Sequence, residues 1–193
     1  MPLAKNPVKP KTRRVVHLGN ANDVGVTRGL KGMVMAEHGV KTGKYAKRFP
    51  NVEFIGIDLT KFPAREKNWK QVEADFLIGL KRLRNGSVDI ISSEMAFGYY
   101  GKTASGYYGK KPPERKEHTA EVAKEAFRKL RENGKLMVAV DSEALKLVVN
   151  SLAKAGFEKN KIKVRELAEN EKKRTYELKT WGLSKLYQVI AQK

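Results

Sequence analysis

Short apolar runs alternate with amphipathic stretches along most of this 193-residue chain. The run 52–57 (VEFIGI) has the length and the β-branched content of a buried strand. The stretch 114–132 places Ala123 and Phe127 at helical spacing on one face. Strands that are separated by helices pair in parallel, because the chain must cross back over the sheet before the next strand begins. The sequence therefore predicts an α/β fold with a mostly parallel sheet.

The remaining predicted elements follow the same alternating order. Predicted strands lie at 15–18, 71–73, 88–91, 135–140, 162–164, 175–178 and 186–191, and predicted helices at 37–48, 76–84 and 142–155. No long helix separates the last strands. This pattern favours an antiparallel strand at one edge of the sheet.

The two ends of the chain differ in character. Residues 1–14 contain five cations, three prolines and no acid, which predicts a basic N-terminal arm. Residues 15–193 form the single predicted domain, a size typical of one domain. Within it, residues 24–42 exceed the length of an ordinary first βα unit and contain four glycines, which indicates an inserted loop over the site.

The charge balance favours a polyanionic partner. Forty Lys and Arg against 21 Asp and Glu give a net charge of +19 and a pI near 10.0. Nucleic acid is the expected partner, because each neutralised phosphate releases counterions. A solvated basic surface and a thermophile's ion pairs are the alternatives.

Several classes of protein are excluded by composition. The chain has no cysteine, so disulfides, thiolate metal sites and cysteine nucleophiles are excluded, and three scattered histidines predict no metal site. No apolar stretch of about 20 residues occurs, so no membrane span is expected. The N-terminus lacks the pattern of a secretory signal, and we expect a cytoplasmic protein.

Polar residues and glycine follow four of the predicted strands. They are Gly19 after the first, Asp58 after the second, Asp75 after the third, and Ser93 and Glu94 after the fourth. Ligands of open α/β sheets bind at this carboxyl edge. Asp58 could accept both ribose hydroxyls, Asp75 an adenine amine, and the apolar Leu59 and Phe76 could sandwich the ring. Taken singly, each acid could equally be a helix cap or a surface carboxylate.

These features resemble class I S-adenosylmethionine (SAM)-dependent methyltransferases. Residues 46–58 (AKRFPNVEFIGID) resemble the second motif of that fold, and together with residues 130–143 (LRENGKLMVAVDSE) they are most similar to tRNA guanine-7 methyltransferases. The tail from residue 175 onward is similar more loosely. The resemblance implies a Rossmann-like fold with SAM as cofactor. It also implies that His17, Gly19, Asn20 and Ser93 line the cofactor site with the acids named above.

The sequence departs from the family at three places. Residues 17–23 (HLGNAND) contain one glycine where the family has a glycine-rich turn after an acid. The family's acidic motif with proline and tryptophan after strand four is missing. Thr175 and Glu177 are two residues apart, whereas the family's threonine and glutamate are three apart. The guanine-7 substrate therefore does not carry over.

The segment after the fourth strand contains candidate acceptor-binding residues. Glu94 and Phe97 have the spacing at which methyltransferases of exocyclic base amines place a polar residue and an aromatic. Glu94 could accept a hydrogen bond from the amine and Phe97 could stack on a flipped base. The alternative is a loop acid and a core aromatic.

A loop rich in tyrosine and glycine follows this segment. Its tyrosines are interleaved with glycines and flanked by cations, a pattern that suits unpaired nucleotides. The candidate substrate-binding residues are Tyr99, Tyr100, Lys102, Tyr107, Tyr108 and Arg115, with Thr175 and Glu177 of the tail. A flexible surface loop with half-buried tyrosines is the alternative.

These observations predict a SAM-dependent methyltransferase that acts on a base nitrogen of structured RNA, ribosomal or transfer. A non-catalytic RNA-binding or ribosome-assembly protein on the same scaffold is the second hypothesis. Methylation of a protein or small molecule is the third, and it leaves the +19 charge unexplained. The sequence specifies neither the nucleotide nor the oligomeric state.

Overall fold

The computed structural model describes residues 12–19, 46–58, 66–94, 97, 112–168 and 185–193. The strands are β1 (Arg13–Leu18), β2 (Val52–Asp58), β3 (Trp69–Glu73), β4 (Val88–Glu94), β5 (Leu130–Asp141), β6 (Ile162–Glu166) and β7 (Leu186–Gln192). The helices are α1 (Phe76–Lys81), α2 (Pro112–Lys129) and α3 (Ser142–Ala155), and a short 3₁₀ turn (Lys159–Lys161) precedes β6.

The strands form one seven-stranded sheet in the order β3-β2-β1-β4-β5-β7-β6. All neighbouring pairs from β3 to β5 are parallel, and β7 runs antiparallel to both β5 and β6. The strand order reverses between β1 and β4, which creates the crevice where open α/β sheets bind ligands. The predicted Rossmann-like fold is confirmed. The antiparallel strand lies one position inside the edge rather than at it.

One face of the sheet carries the main hydrophobic core. Val16, Leu18, Ile57 and Ile91 alternate with residues of the other face and are fully buried under α1, α2 and α3. Burial of each such side chain contributes about 1.5–3 kcal/mol of hydrophobic free energy. This core holds the strand ends in a fixed relation to one another.

The other face has a smaller apolar cluster on its β2–β3 side. Phe54 and Trp69 pack there against Ala46, the first described residue of a helical turn. The Asn68 side-chain amide donates to the carbonyls of Ala46 and Val52, both at 2.9 Å, and so ties that turn to the start of β2.

Strand β1 begins two residues earlier than predicted. Arg13 and Arg14 belong to the sheet and not to the basic arm, because Arg14 is hydrogen-bonded to residues of both neighbouring strands, β2 and β4. Its backbone N–H donates to Asp89 at 2.7 Å and its Nε lies 2.6 Å from Glu53 Oε2. Residues 1–11 of the arm and the predicted insertion 24–42 lie outside the described residues.

Helix α2 ends earlier than predicted, at Lys129. Leu130 already pairs with Val88 of β4, so the chain enters the sheet before the turn residues that were expected to stop the helix. Asn133 (φ 64°) and Gly134 instead form an irregularity within β5. A Cβ at Gly134 would lie 2.9 Å from the Arg131 carbonyl oxygen and 3.1 Å from that of Val88, which explains the glycine there.

Candidate functional site

The turn after β1 lies directly beside the end of β2. Gly19 donates its N–H to the carbonyl of Ile57 at 2.9 Å, and Leu18 pairs with Ile57 in the sheet register. Gly19 has φ 83°, a left-handed conformation that favours glycine and lets a ligand approach the backbone. Gly19 and Asp58 are therefore neighbours at the carboxyl edge, as predicted.

Asp58 is the last residue of β2, and it is only 2% exposed. Its carbonyl accepts the N–H of Ala74 at 2.8 Å, which joins the ends of β2 and β3. This bond places Asp58 and Asp75 at adjacent strand ends, as the sequence predicts. A carboxylate this deeply buried needs hydrogen-bond donors as neighbours.

The Asp75 carboxylate contacts both α1 and α2. Its Oδ1 accepts the N–H of Leu77 at 2.9 Å and so caps α1. His118 Nε2, on α2, lies 3.1 Å from Oδ1 and 3.0 Å from Oδ2. The helix-cap alternative therefore holds for Asp75.

His118 is a site residue that the sequence reasoning missed. It is 8% exposed, and it joins α2 to the cap of α1. The contact spans 43 residues of sequence. No local motif signals such a contact, and the three histidines were considered only as metal ligands.

The two aromatics predicted to stack on ligand or base lie in the core. Phe76 is the first residue of α1 and packs in the main core with Ile57 and Leu80. Phe97 is 1% exposed and belongs to the same core. The burial of Phe97 favours the core-aromatic alternative. Stacking of Phe76 on adenine and of Phe97 on a base remain predictions.

The end of β4 supplies polar groups beside β1. The Nδ1 of His17 and the Oγ of Ser92 are 3.0 Å apart on neighbouring strands. The Oγ of Ser93, which is buried, accepts the N–H of Phe97 at 3.0 Å. The backbone of Glu94 pairs with Ala139 of β5 at the same edge.

Arg115 also lies at this edge. Its guanidinium donates to Oε1 of Glu143 at 3.1 Å, and Glu143 belongs to the first turn of α3, just after β5. The other predicted contacts lie outside the described residues. They are Asn20, Leu59, Tyr99, Tyr100, Lys102, Tyr107, Tyr108, Thr175 and Glu177.

Two classes of site are not found in the part of the chain that the structure describes. No group of three or more histidine, aspartate or glutamate side chains there is placed to hold a metal ion. No helix among the described residues is long and apolar enough to cross a membrane.

Comparison with known proteins gives structural matches only. No protein-family model and no curated protein matches the chain. A SAM-dependent methyltransferase from Archaeoglobus fulgidus is 15% identical, with a TM-score of 0.52 over 94% of this chain and 86% of that one. The 16S rRNA (adenine(1408)-N(1))-methyltransferase of Catenulisporales acidiphilia is 13% identical, with a TM-score of 0.52 over 93% of this chain and 84% of that one.

A third match acts on a small molecule. Phosphoethanolamine N-methyltransferase 2 of Haemonchus contortus, solved with SAM, is 11% identical, with a TM-score of 0.56 over 97% of this chain and 50% of that one. At sequence identities this low, structural similarity shows a shared fold only. The chain has the class I SAM-dependent methyltransferase fold, as the sequence predicts.

Proposed function

We propose that this protein is a SAM-dependent methyltransferase that acts on a base nitrogen of structured RNA, ribosomal or transfer. The observation that carries the proposal is the juxtaposition of Gly19, after β1, and Asp58, at the end of β2, next to the point where the strand order reverses between β1 and β4. A turn with positive φ beside a buried carboxylate at this edge suits the amino-acid and ribose parts of a nucleoside cofactor.

The residues at this edge fit SAM. The Asp58 carboxylate can accept two hydrogen bonds from the ribose hydroxyls, and the backbone at Gly19 can be approached closely because it lacks a Cβ. The Asp75 carboxylate, an acceptor at the neighbouring strand end, is assigned to the exocyclic amine of adenine. When bound, SAM supplies a methyl group on a positively charged sulfur.

Residues at the end of β4 are assigned to the acceptor. Glu94 ends that strand at the same edge, two strands from Asp58. A carboxylate there can accept a hydrogen bond from a base amine and direct the nitrogen lone pair toward the methyl group. The nitrogen–carbon bond forms as the carbon–sulfur bond breaks, and the amine proton leaves to solvent or to Glu94. Positioning supplies most of the rate, because the leaving group needs no protonation.

The choice of RNA as substrate rests on charge. A net charge of +19 suits a phosphate backbone and is unexplained by a small substrate such as that of the Haemonchus enzyme. The likeness to an rRNA methyltransferase is consistent with this choice. The resemblance of residues 46–58 and 130–143 to tRNA guanine-7 methyltransferases adds transfer RNA as a candidate.

A second candidate function is supported by specific observations. The first motif has one glycine, Asp75 is engaged by His118, and Phe97 is buried in the core. These features are compatible with a non-catalytic RNA-binding protein, including a ribosome-assembly factor, on a methyltransferase scaffold. Such a protein would bind RNA and transfer no methyl group.

Transfer of labelled methyl groups tests the proposal. Purified protein is incubated with methyl-labelled SAM and with total RNA from cells that lack the gene, and the RNA is digested to nucleosides. We expect one labelled nucleoside with the methyl group on a base nitrogen. Label on the ribose would refute the base-nitrogen assignment. RNA binding with no label in any fraction would favour the second candidate.

A further inference from the structure

The sheet face opposite the three helices changes character from one side of the molecule to the other. On the β2–β3 side it carries the apolar cluster of Phe54 and Trp69. On the β5–β7–β6 side the register places Lys135 beside Gln192, and Arg165 beside Gln188. Lys163 pairs with Ile190 in the row between them. We call Lys135, Lys163, Arg165, Gln188 and Gln192 the basic sheet face.

The side chains of this face differ sharply from those on the reverse of the same strands. Val138, Val189 and Ala191 point to the helices and are buried. Lys135, Lys163 and Arg165 are all exposed. A parallel sheet is usually apolar on both faces because helices cover both. The residue pattern of β5, β7 and β6 is therefore that of a sheet with one buried apolar face and one face in a polar environment.

The three charged residues that define the basic sheet face are all cations. Lys135 and Lys163 make no ion pair with any described residue, whereas Lys129 and Arg131 are each paired with an acid. The guanidinium of Arg165 is held by Gln188, whose Oε1 accepts from Nε at 2.8 Å. The face thus combines three cations with two amides that donate and accept hydrogen bonds.

Protection of an edge strand explains only part of this pattern. Charged residues on β6 would prevent edge-to-edge association of sheets, since β6 is an edge strand. Lys135 and the two glutamines, however, lie on β5 and β7, which are inside the sheet. Edge protection does not require polar groups there.

We propose that the basic sheet face binds the phosphodiester backbone of RNA. This inference rests on the proposed RNA substrate and names a surface for it. Cations and amides suit phosphate and ribose oxygens, which carry no sequence information. Ile190 and Met137, the apolar residues between them, are half-buried, so the face offers no exposed apolar group for insertion into a membrane.

The distance between the basic sheet face and the proposed active site determines how large an RNA must be to contact both. Arg165 lies next to the carboxyl end of β6, at the same edge of the sheet as Asp58. Five interstrand steps of about 4.8 Å separate β2 from β6, roughly 24 Å in all. An RNA with its acceptor nucleotide at the site must therefore extend well beyond that nucleotide to reach the face, which suits a folded RNA.

The test compares two triple variants with the same loss of charge. One is Lys135→Gln, Lys163→Gln and Arg165→Gln. The control is Lys124→Gln, Lys146→Gln and Lys154→Gln, three exposed cations on α2 and α3. Fluorescence anisotropy measures binding of a 20-base-pair RNA hairpin of arbitrary sequence from about 50 to about 200 mM salt. Circular dichroism checks that both variants fold.

We expect the face variant to bind about tenfold or more weakly, and its slope of log affinity against log salt to fall by roughly 2–3. The control variant should change far less. Equal losses in both variants, or no loss in the face variant, would overturn the inference. Binding to anionic lipid vesicles is measured on the same proteins. A face variant that keeps its RNA binding and loses vesicle binding would overturn the inference in favour of a membrane contact.

The inference and the proposed function fail differently. If the wild-type protein binds SAM but not the hairpin, the RNA substrate and this surface both fail while the cofactor assignment survives. If the wild-type protein binds the hairpin and the face variant binds equally well, only the surface assignment fails.

Discussion

The Nε2 of His118 lies 3.0 Å from Oδ2 of Asp75, so a side chain of α2 holds the carboxylate that caps α1. Both side chains are largely buried. This contact fixes the orientation of the acid that we assign to the adenine amine. Under the proposed function, His118 would position the cofactor through Asp75.

Replacement of His118 with Ala should weaken the preference of the protein for a ligand with adenine over one that lacks the exocyclic amine. Without the imidazole, the Asp75 carboxylate loses its contact with α2, and its orientation toward the amine changes. The measurement is the ratio of affinities for S-adenosylhomocysteine and S-inosylhomocysteine, which lacks the amine. We expect this ratio to fall roughly tenfold.

A conservative variant supplies the control for that experiment. The amide of His118→Gln can donate to the carboxylate, so part of the discrimination should return. A merely structural role for His118 would lower both affinities together and leave their ratio unchanged.

Replacement of Glu94 with Ala should remove turnover and preserve binding. The residue ends β4 at the carboxyl edge, where the proposal assigns it to the acceptor amine. We expect a loss of about 100-fold or more in the methyl-transfer rate, with unchanged affinities for SAM and RNA. Glu166→Ala is the matched control, because Glu166 ends β6 at the same edge. Near-normal turnover of the Glu94 variant would remove this residue from the mechanism.

Replacement of Gly79 with Ala should destabilise the fold. Alanine raises helix propensity by up to about 1 kcal/mol. A Cβ at this position, however, would overlap with Cγ2 of Ile57, a fully buried residue of β2. Overpacking costs about 1–3 kcal/mol, so we expect a net loss of roughly 1–2 kcal/mol in the free energy of unfolding.

Urea unfolding measures this loss, and Ile78→Ala is the comparison on the same helix. Ile78 is 45% exposed, so its replacement should change stability by about 0.5 kcal/mol or less. A Gly79 variant as stable as the wild type would show that Ile57 moves aside without cost.

The Glu53 carboxyl should contribute to stability in a pH-dependent way. Burial raises its pKa, but the hydrogen bonds and charges of Lys70 and Arg14 outweigh burial and hold the pKa below its ordinary value of 4.5. A lowered pKa in the folded protein stabilises the fold above about pH 4.5, and this contribution disappears as the pH falls through the folded-state pKa.

Glu53→Gln should therefore cost roughly 1 kcal/mol at pH 7, and the difference from the wild type should shrink below pH 4.5. Denaturant unfolding at several pH values measures this. A difference that stayed constant down to pH 3 would show that the ion pairs with Arg14 and Lys70 do not stabilise the folded protein.

The strands and the edge they share could be predicted because their signals are local. The apolar run before Asp58 predicts β2, and the acid predicts where the strand ends. Adjacent residues therefore specify both the strand and its carboxyl end. The parallel order then brings the strand ends together without any knowledge of tertiary contacts.

The rest of the site depends on contacts between residues far apart in sequence. Phe76 and Phe97 follow polar strand ends, and an aromatic in that place has the same sequence signal whether it stacks on a ligand or fills the core. The partner of Asp75 comes from a helix 43 residues later. Asn133 and Gly134 have the composition of a helix stop, but sheet pairing of Leu130 with Val88 had already ended the helix.

Isothermal calorimetry with SAM on the wild type and on Asp58→Ala tests the central assignment most directly, with Asp58→Asn as the variant of closest shape. The account predicts saturable binding of one SAM per wild-type chain and affinity about 10- to 100-fold weaker in both variants, because hydrogen bonds to a charged group are lost. Affinity for RNA should stay the same in all three proteins. Equal affinity for SAM in the wild type and the variants, or no binding by the wild type at millimolar SAM, would contradict it.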